Sequence, residues 1–242
     1  MWNELFLLPF LTGLALAIVL PLLGAYLRLR DEWLAALAYA YIAAAGALLA
    51  LVSSLPPAVG GIGTALAAGA GKRFFAARLS GGASYALLLV GSWSVAVLLA
   101  ANHPLAERLG HALFDGQLYF ADGPTLALVA IGGTVSLLAL RALSRNLLLA
   151  HLYPDFFRIR GLRAWPTQLG FDVLAALCLA LATMSLGVMG AFALVFIPPW
   201  LAFRRSASWR GGLLRALAIG LAAYLGAFGL ALWLDQPFGP IL

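Results

Sequence analysis

The chain has 242 residues, of which 64% are hydrophobic and only 10% charged, with a mean hydropathy of +0.99. A soluble domain of this length carries roughly a quarter charged residues, so a water-facing surface here would be left with large apolar patches. That excludes a soluble globular protein: the apolar residues face lipid or one another. The formal charge of +6 comes from basic residues in short loops between apolar runs, the pattern of cytoplasmic loops rather than of a nucleic-acid-binding surface. The single cysteine, Cys178, excludes an internal disulfide and sits in an apolar run, as a small packed hydrophobe does. Glu4 is the only early charge, with no basic n-region and no small-residue cleavage site after the first apolar run, so the N-terminus does not read as a secretory signal.

A helix needs about 20 apolar residues to cross ~30 Å of hydrocarbon, and in lipid every backbone polar group must be satisfied internally. In chain order the apolar runs predict spans near Leu5–Leu27, Trp33–Val52, Ala58–Ala70, Tyr85–Ala101, Thr125–Leu143, Gln168–Met184, Gly187–Phe203 and Leu213–Leu234. The third is short. Only Ser185 and Leu186 divide the sixth from the seventh, a division that a single broken helix would share. No internal repeat is visible. The expected fold is an all-α integral membrane protein of about eight transmembrane helices, in one domain over residues 1–242.

Charge gives an independent topology. The loops at 28–32, 72–78, 141–163 and 204–215 hold all of the 15 basic residues but one, and the alternate loops hold only Arg108. The positive-inside bias places the first set in the cytoplasm and both termini outside. Trp2, Trp33, Trp165, Trp209 and Trp233 fall near span ends, as interfacial aromatics do. Gly60, Gly61 and Gly63, Gly132 and Gly133, and Gly220 and Gly226 lie within spans, where small residues let backbones approach closely.

Three segments resemble the permease subunits of the bacterial zinc, manganese and iron ABC importers. In Gly187–Phe203 (GVMGAFALVFIPPWLAF) the matching positions are Gly187, Ile197 and Pro198, with Arg204 and Arg205 opening a basic loop. The C-terminal LDQPFGPIL is similar to the family's ending through Asp235, Pro237, Gly239 and Pro240. The Arg145–Gly161 stretch (RNLLLAHLYPDFFRIRG) resembles a cytoplasmic segment of the family through Asn146, Pro154, Asp155 and Gly161. Order, spacing and length extend the resemblance over nearly the whole chain. It implies an importer permease in the bacterial cytoplasmic (inner) membrane that forms a homodimer. Its partners would be two cytoplasmic ABC ATPase subunits and an external solute-binding protein, with no cofactor of its own.

Two departures qualify what is carried over. The family's second span holds an Asp and, four residues on, a His. Residues at that spacing share a helix face and suit a transition metal. The aligned positions here are Leu37 and Tyr41. Leucine cannot ligate and a neutral tyrosine is a poor ligand, so the pathway through Leu37, Tyr41 and the intramembrane Asp172 is expected to lack the family's metal pair. The chain also stops at Leu242, where relatives continue into a further hydrophobic segment.

The segment 144–163 is the expected ATPase-coupling loop. Pro154 suits a first helical turn and Asp155 the positive helix terminus, whereas Phe156, Phe157 and Arg158 suit a partner's socket. The alternative is a basic interfacial loop with its aromatics among headgroups. On the opposite side His103, Glu107, His111 and Asp115 recur every four residues, on a helix that Asn102-His103-Pro104 could open. Two readings stand: a metal-receiving site built on His103, Glu107 and His111, or the solvated face of a short amphipathic helix. Asp172 is either functional or paired near the cytoplasmic interface with Arg163 or Arg141. Motifs for an intramembrane metalloprotease, a serine hydrolase or a P-loop are absent, so the chain is expected to be non-catalytic and driven by another subunit. The alternative function is a transport-deficient scaffold or partner of an intact paralogous permease.

Overall fold

The computed structural model describes residues 2–76, 81–116, 118, 121–153, 157, 163, 165–234 and 236–242. The helices are α1 (Trp2–Leu29), α2 (Trp33–Val52), α3 (Pro57–Ala76), α4 (Gly81–Asn102), α5 (Pro104–Asp115), α6 (Gly123–Leu152), α7 (Trp165–Arg204), α8 (Trp209–Leu234) and α9 (Phe238–Ile241). Among the described residues α1, α2, α4, α6, α7 and α8 are long and apolar enough to cross a membrane.

The 40-residue α7 is two antiparallel helices rather than one rod. Gly187 breaks it with φ 79° and ψ 169°, a region that L side chains essentially never enter. The end of α1 shows that the chain reverses there. Arg28 Nη1 donates to the carbonyls of Pro199 and Trp200 at 3.0 and 3.2 Å, while Arg30 contacts Asp172 at 3.0 Å. In a straight helix residues 172 and 199 would stand about 40 Å apart. Both ends of α7 therefore lie at the end of the bundle that carries the basic loops, and Gly187 lies at the opposite end. Counting α7 twice, and adding α3 laid along α2, gives the eight membrane-length segments expected from hydropathy.

Alanine explains why α2 is central. Ala35, Ala36, Ala38, Ala40, Ala43 and Ala44 are all buried, so over much of its surface α2 presents nothing beyond Cβ and neighbours pack close to its backbone, while its Tyr39 and Leu48 fill the bundle interior. Gly46 of α2 faces Gly60 and Thr64 of α3, too close for a Cβ on either glycine. Thr64 Oγ1 donates across this contact to the Ile42 carbonyl at 3.1 Å, as well as to Gly60 in its own helix at 2.8 Å. The first half of α7 is the other interior element. In contrast, α4, α6 and α8 expose large apolar side chains such as Leu87, Leu98, Ile131, Leu138 and Leu214, the surface that a lipid solvent selects.

Two spans run past their expected ends. α6 continues nine residues beyond Leu143, to Leu152, because the Leu-rich stretch after Leu143 favours helix even where Arg145 leaves the hydrocarbon. α3 extends to Ala76, and its Lys72 is turned into the bundle instead of marking the membrane boundary.

Candidate functional site

At the basic end, four charged side chains close into a ring. Asp172 Oδ1, in the second turn of α7, accepts from Arg30 Nη2 at 3.0 Å and from Lys72 Nζ at 2.9 Å. Lys72 Nζ also reaches Glu32 Oε1 at 2.8 Å, and Arg30 Nη2 reaches Glu32 Oε2 at 3.0 Å. Arg30 follows α1, Glu32 precedes α2, Lys72 is on α3 and Asp172 on α7, so the ring ties four elements together. All four side chains are largely buried, from 8% exposed at Asp172 to 21% at Glu32. The two cations also lie on aromatic faces: Arg30 over Phe171 at 4.9 Å and Lys72 over Tyr85 of α4 at 5.2 Å. Gly69 makes this geometry possible. A Cβ there would lie 2.9 Å from the Asp172 carbonyl oxygen, so its absence brings α3 close enough for Lys72, one turn on, to reach the carboxylate.

The ring lines a cavity of about 460 Å³ together with His151 near the end of α6 and Trp165 and Gln168 at the start of α7. Those two helix ends bracket residues 153–164. Charges of both signs in a low-dielectric site attract strongly but are costly to desolvate, so such a ring is weak evidence for stability by itself.

The partners of Asp172 correct the sequence expectation: Arg141 and Arg163 are exposed, and the inward face of α7 meets Arg30 and Lys72 instead. Leu37 and Tyr41 are both partly buried, beside Leu99, Leu109 and Met184. Tyr41 lies 5.8 Å from the Phe114 ring of α5. The helix expected after Asn102 is α5, opened by His103 as N-cap with Pro104 following. Glu107 and His111 are exposed on it, His103 partly so. Among the described residues no group of three His, Cys, Asp or Glu side chains is placed to hold a metal ion.

In the stretch that the sequence marks as an expected coupling loop, Asn146 is exposed on α6 and is helical rather than part of a loop. Phe157 is buried in the chain itself, at 8% exposure, so it does not project toward a partner as an exposed aromatic would. Pro154, Asp155, Phe156, Arg158 and Gly161 lie outside the described residues. Sequence reasoning missed Arg30, Glu32 and Lys72. Their signal was slight: an Arg-x-Glu pair in a chain with few acids, and a lysine just after a glycine-rich span.

At the far end the backbone crossings are made by glycines. Gly187 packs against Gly116, which follows α5, and Gly239 of α9 packs against the Asp115 and Leu186 carbonyls, with no room for a Cβ at any of the three. Phe238 is fully buried beside Tyr224 of α8, with ring centroids 5.6 Å apart. Gly187 and Gly239 are among the residues that carried the family resemblance, and their role is close backbone crossing.

An all-helical bundle with this reversal and this asymmetric basic end has the fold of an ABC-transporter permease. PsaBC from Streptococcus pneumoniae, solved with a Fab, is similar over 98% of this chain and 86% of its own, with a TM-score of 0.85 and 17% identity. An inward-facing structure assigned to the metal-chelate type of ABC transporter is similar over 97% and 80% respectively, with a TM-score of 0.77 and 19% identity. No curated protein matches the chain in sequence. The family is nevertheless plain: residues 3–242 match the ABC 3 transport family, and the chain belongs to it.

Proposed function

We propose that this chain is the permease of an importer for a transition metal (zinc, manganese or iron) that crosses the membrane still held by a small chelator. Two copies would form the membrane channel, with two cytoplasmic ABC ATPase subunits at the basic end and an external solute-binding protein at the other. Both termini would be outside the bacterial cytoplasmic membrane. Family membership supports transport. The single observation that supports the chelate is α2: Leu37 and Tyr41 stand at the positions that align with the family's Asp and His, and a bare ion stripped of water must find replacement ligands on the protein. A chelated metal brings its own.

The segment 144–163 takes the coupling role in this reading. Asn146 on the exposed face of α6 and the residues Pro154, Asp155, Phe156, Arg158 and Gly161 would meet the ATPase, with buried Phe157 anchoring the segment to the bundle. The test is uptake by the complete importer in cells lacking other high-affinity metal uptake, with each metal offered free and as a chelate. Uptake of a chelated metal several-fold above the free ion is expected. Equal uptake of the free ion would overturn the chelate, and no uptake of any metal in either form would overturn import.

A further inference from the structure

We propose that Arg30, Glu32, Lys72 and Asp172 are positioning residues that transmit motion from the ATPase-coupling segment to the pathway helix α2, by opening and re-forming their ion ring. The proposal rests on the permease reading above and names the route by which that permease is driven.

The connection can be traced atom by atom. Trp165 begins α7 immediately after the coupling segment, and Asp172 follows two turns later, about 10 Å along the same rigid helix. The Asp172 carboxylate holds Lys72 of α3 and Arg30 after α1 at 2.9 and 3.0 Å. Both cations in turn hold Glu32, the residue at the N-cap of α2, whose next turns carry Leu37 and Tyr41. Beside the direct packing of α7 on α2, a displacement of the start of α7 can therefore reach the start of α2 through two ionic contacts. No covalent path between them is shorter than 100 residues.

Three features distinguish the ring from a static brace. First, a static brace at this depth would be served as well by apolar packing, since replacing a buried ion pair by hydrophobic residues is often neutral or stabilising. Second, the ring is not saturated: among the described residues Arg30 Nη1 is buried without a hydrogen-bond partner, a donor available for a different pairing. Third, there is space to move into. The ring lines the 460 Å³ cavity together with His151 and Trp165, at the helix ends that bracket the coupling segment. Short-range ionic contacts beside a void have discrete alternative pairings, which is what a two-position coupling element requires.

The experiment uses the importer purified with its own ATPase subunits in lipid nanodiscs. A Cys178→Ser background carries Tyr41→Cys as a reporter on α2. Its labelling by a membrane-impermeant maleimide is compared without nucleotide and after trapping with ATP and vanadate. The reporter in an otherwise unaltered complex should change its labelling rate severalfold on trapping. Lys72→Met should keep ATP hydrolysis within a factor of about two, a difference of about 0.4 kcal/mol in barrier, while losing the nucleotide-dependent change. Lys72→Arg should restore that change. If Lys72→Met hydrolyses ATP and still shows the full labelling change, the proposal is overturned.

Should Lys72→Met fail to yield folded complex, the combined variant Arg30→Met, Glu32→Gln, Lys72→Met and Asp172→Asn removes every charge without leaving one unpaired. Coupling retained in that variant overturns the proposal equally. Failure of the permease reading is distinguishable, because then the unaltered chain itself recovers no ATPase and the reporter shows no nucleotide response in any variant.

Discussion

The two ends of the bundle are closed by opposite means. At the basic end, Arg30, Glu32, Lys72 and Asp172 hold four elements together through charge, beside a cavity. At the other end, Gly116, Gly187 and Gly239 bring three segments together by having no side chains at all. Ion pairs can exchange partners without rebuilding the backbone. A glycine crossing has no alternative packing of similar energy, because each contact is backbone against backbone. On the coupling proposed above, the first end would rearrange and the second would act as a fixed pivot, a difference that lies in residue chemistry rather than in helix geometry.

That contrast can be broken from either side. The largest stability effect is expected at the ring. Asp172→Ala leaves two buried cations without their shared anion, a loss of about 3–5 kcal/mol, read as a lower melting temperature and lower yield in detergent. At the pivot, Gly187→Ala forces a Cβ into a backbone conformation reserved for glycine, at about 1–3 kcal/mol, in addition to the clash with Gly116. The expected result is again a lower melting temperature, but with ATPase binding intact in whatever protein folds.

On α5 the expected effect is small. Because among the described residues His103, Glu107 and His111 belong to no group placed to hold a metal, the pair His103→Ala and His111→Ala should leave metal uptake unchanged. A severalfold loss would instead show a metal-receiving site assembled there in another state.

The smallest effect is at Asp122, the N-cap of α6, which lies before the span and is fully exposed. Its Oδ1 accepts from the Thr125 backbone N–H at 3.0 Å and from the Thr125 hydroxyl at 2.5 Å. The bond from the Thr125 hydroxyl, and then the backbone bond, hold its carboxyl below the ordinary carboxylate range. A lowered folded value means that its contribution is present above the unfolded value and is lost as pH falls through the folded one. Hydrogen exchange in the first turn of α6 should therefore rise in Asp122→Ala at neutral pH, and the difference from the unaltered chain should vanish in strong acid.

How much of this was legible in the sequence follows from the range of each interaction. Spans are local, so α2 falls at Trp33–Val52 as hydropathy expects, and α5 begins where Asn102-His103-Pro104 indicates. The break between Met184 and Gly187 was marked in the sequence only by Ser185 and Leu186, and the structure makes it a full reversal. The overrun of α6 was hidden because hydropathy measures the bilayer and not the helix. The ring was hidden because its members are distant in sequence: Lys72 and Asp172 are 100 residues apart. Asp172 could be singled out from its cost in the membrane, but its partners depend on which faces meet, and Gly69, which lets them meet, reads in sequence as one more small residue.

The most direct test of the central claim is affinity purification of the tagged chain from its native membranes in mild detergent, with co-purifying proteins identified by mass spectrometry. Recovery of an ABC ATPase near one-to-one with the permease, reduced when Phe156 is changed to alanine, is the result expected. Absence of any ATPase under conditions that preserve a known ABC complex would contradict it and leave the transport-deficient scaffold as the reading to pursue.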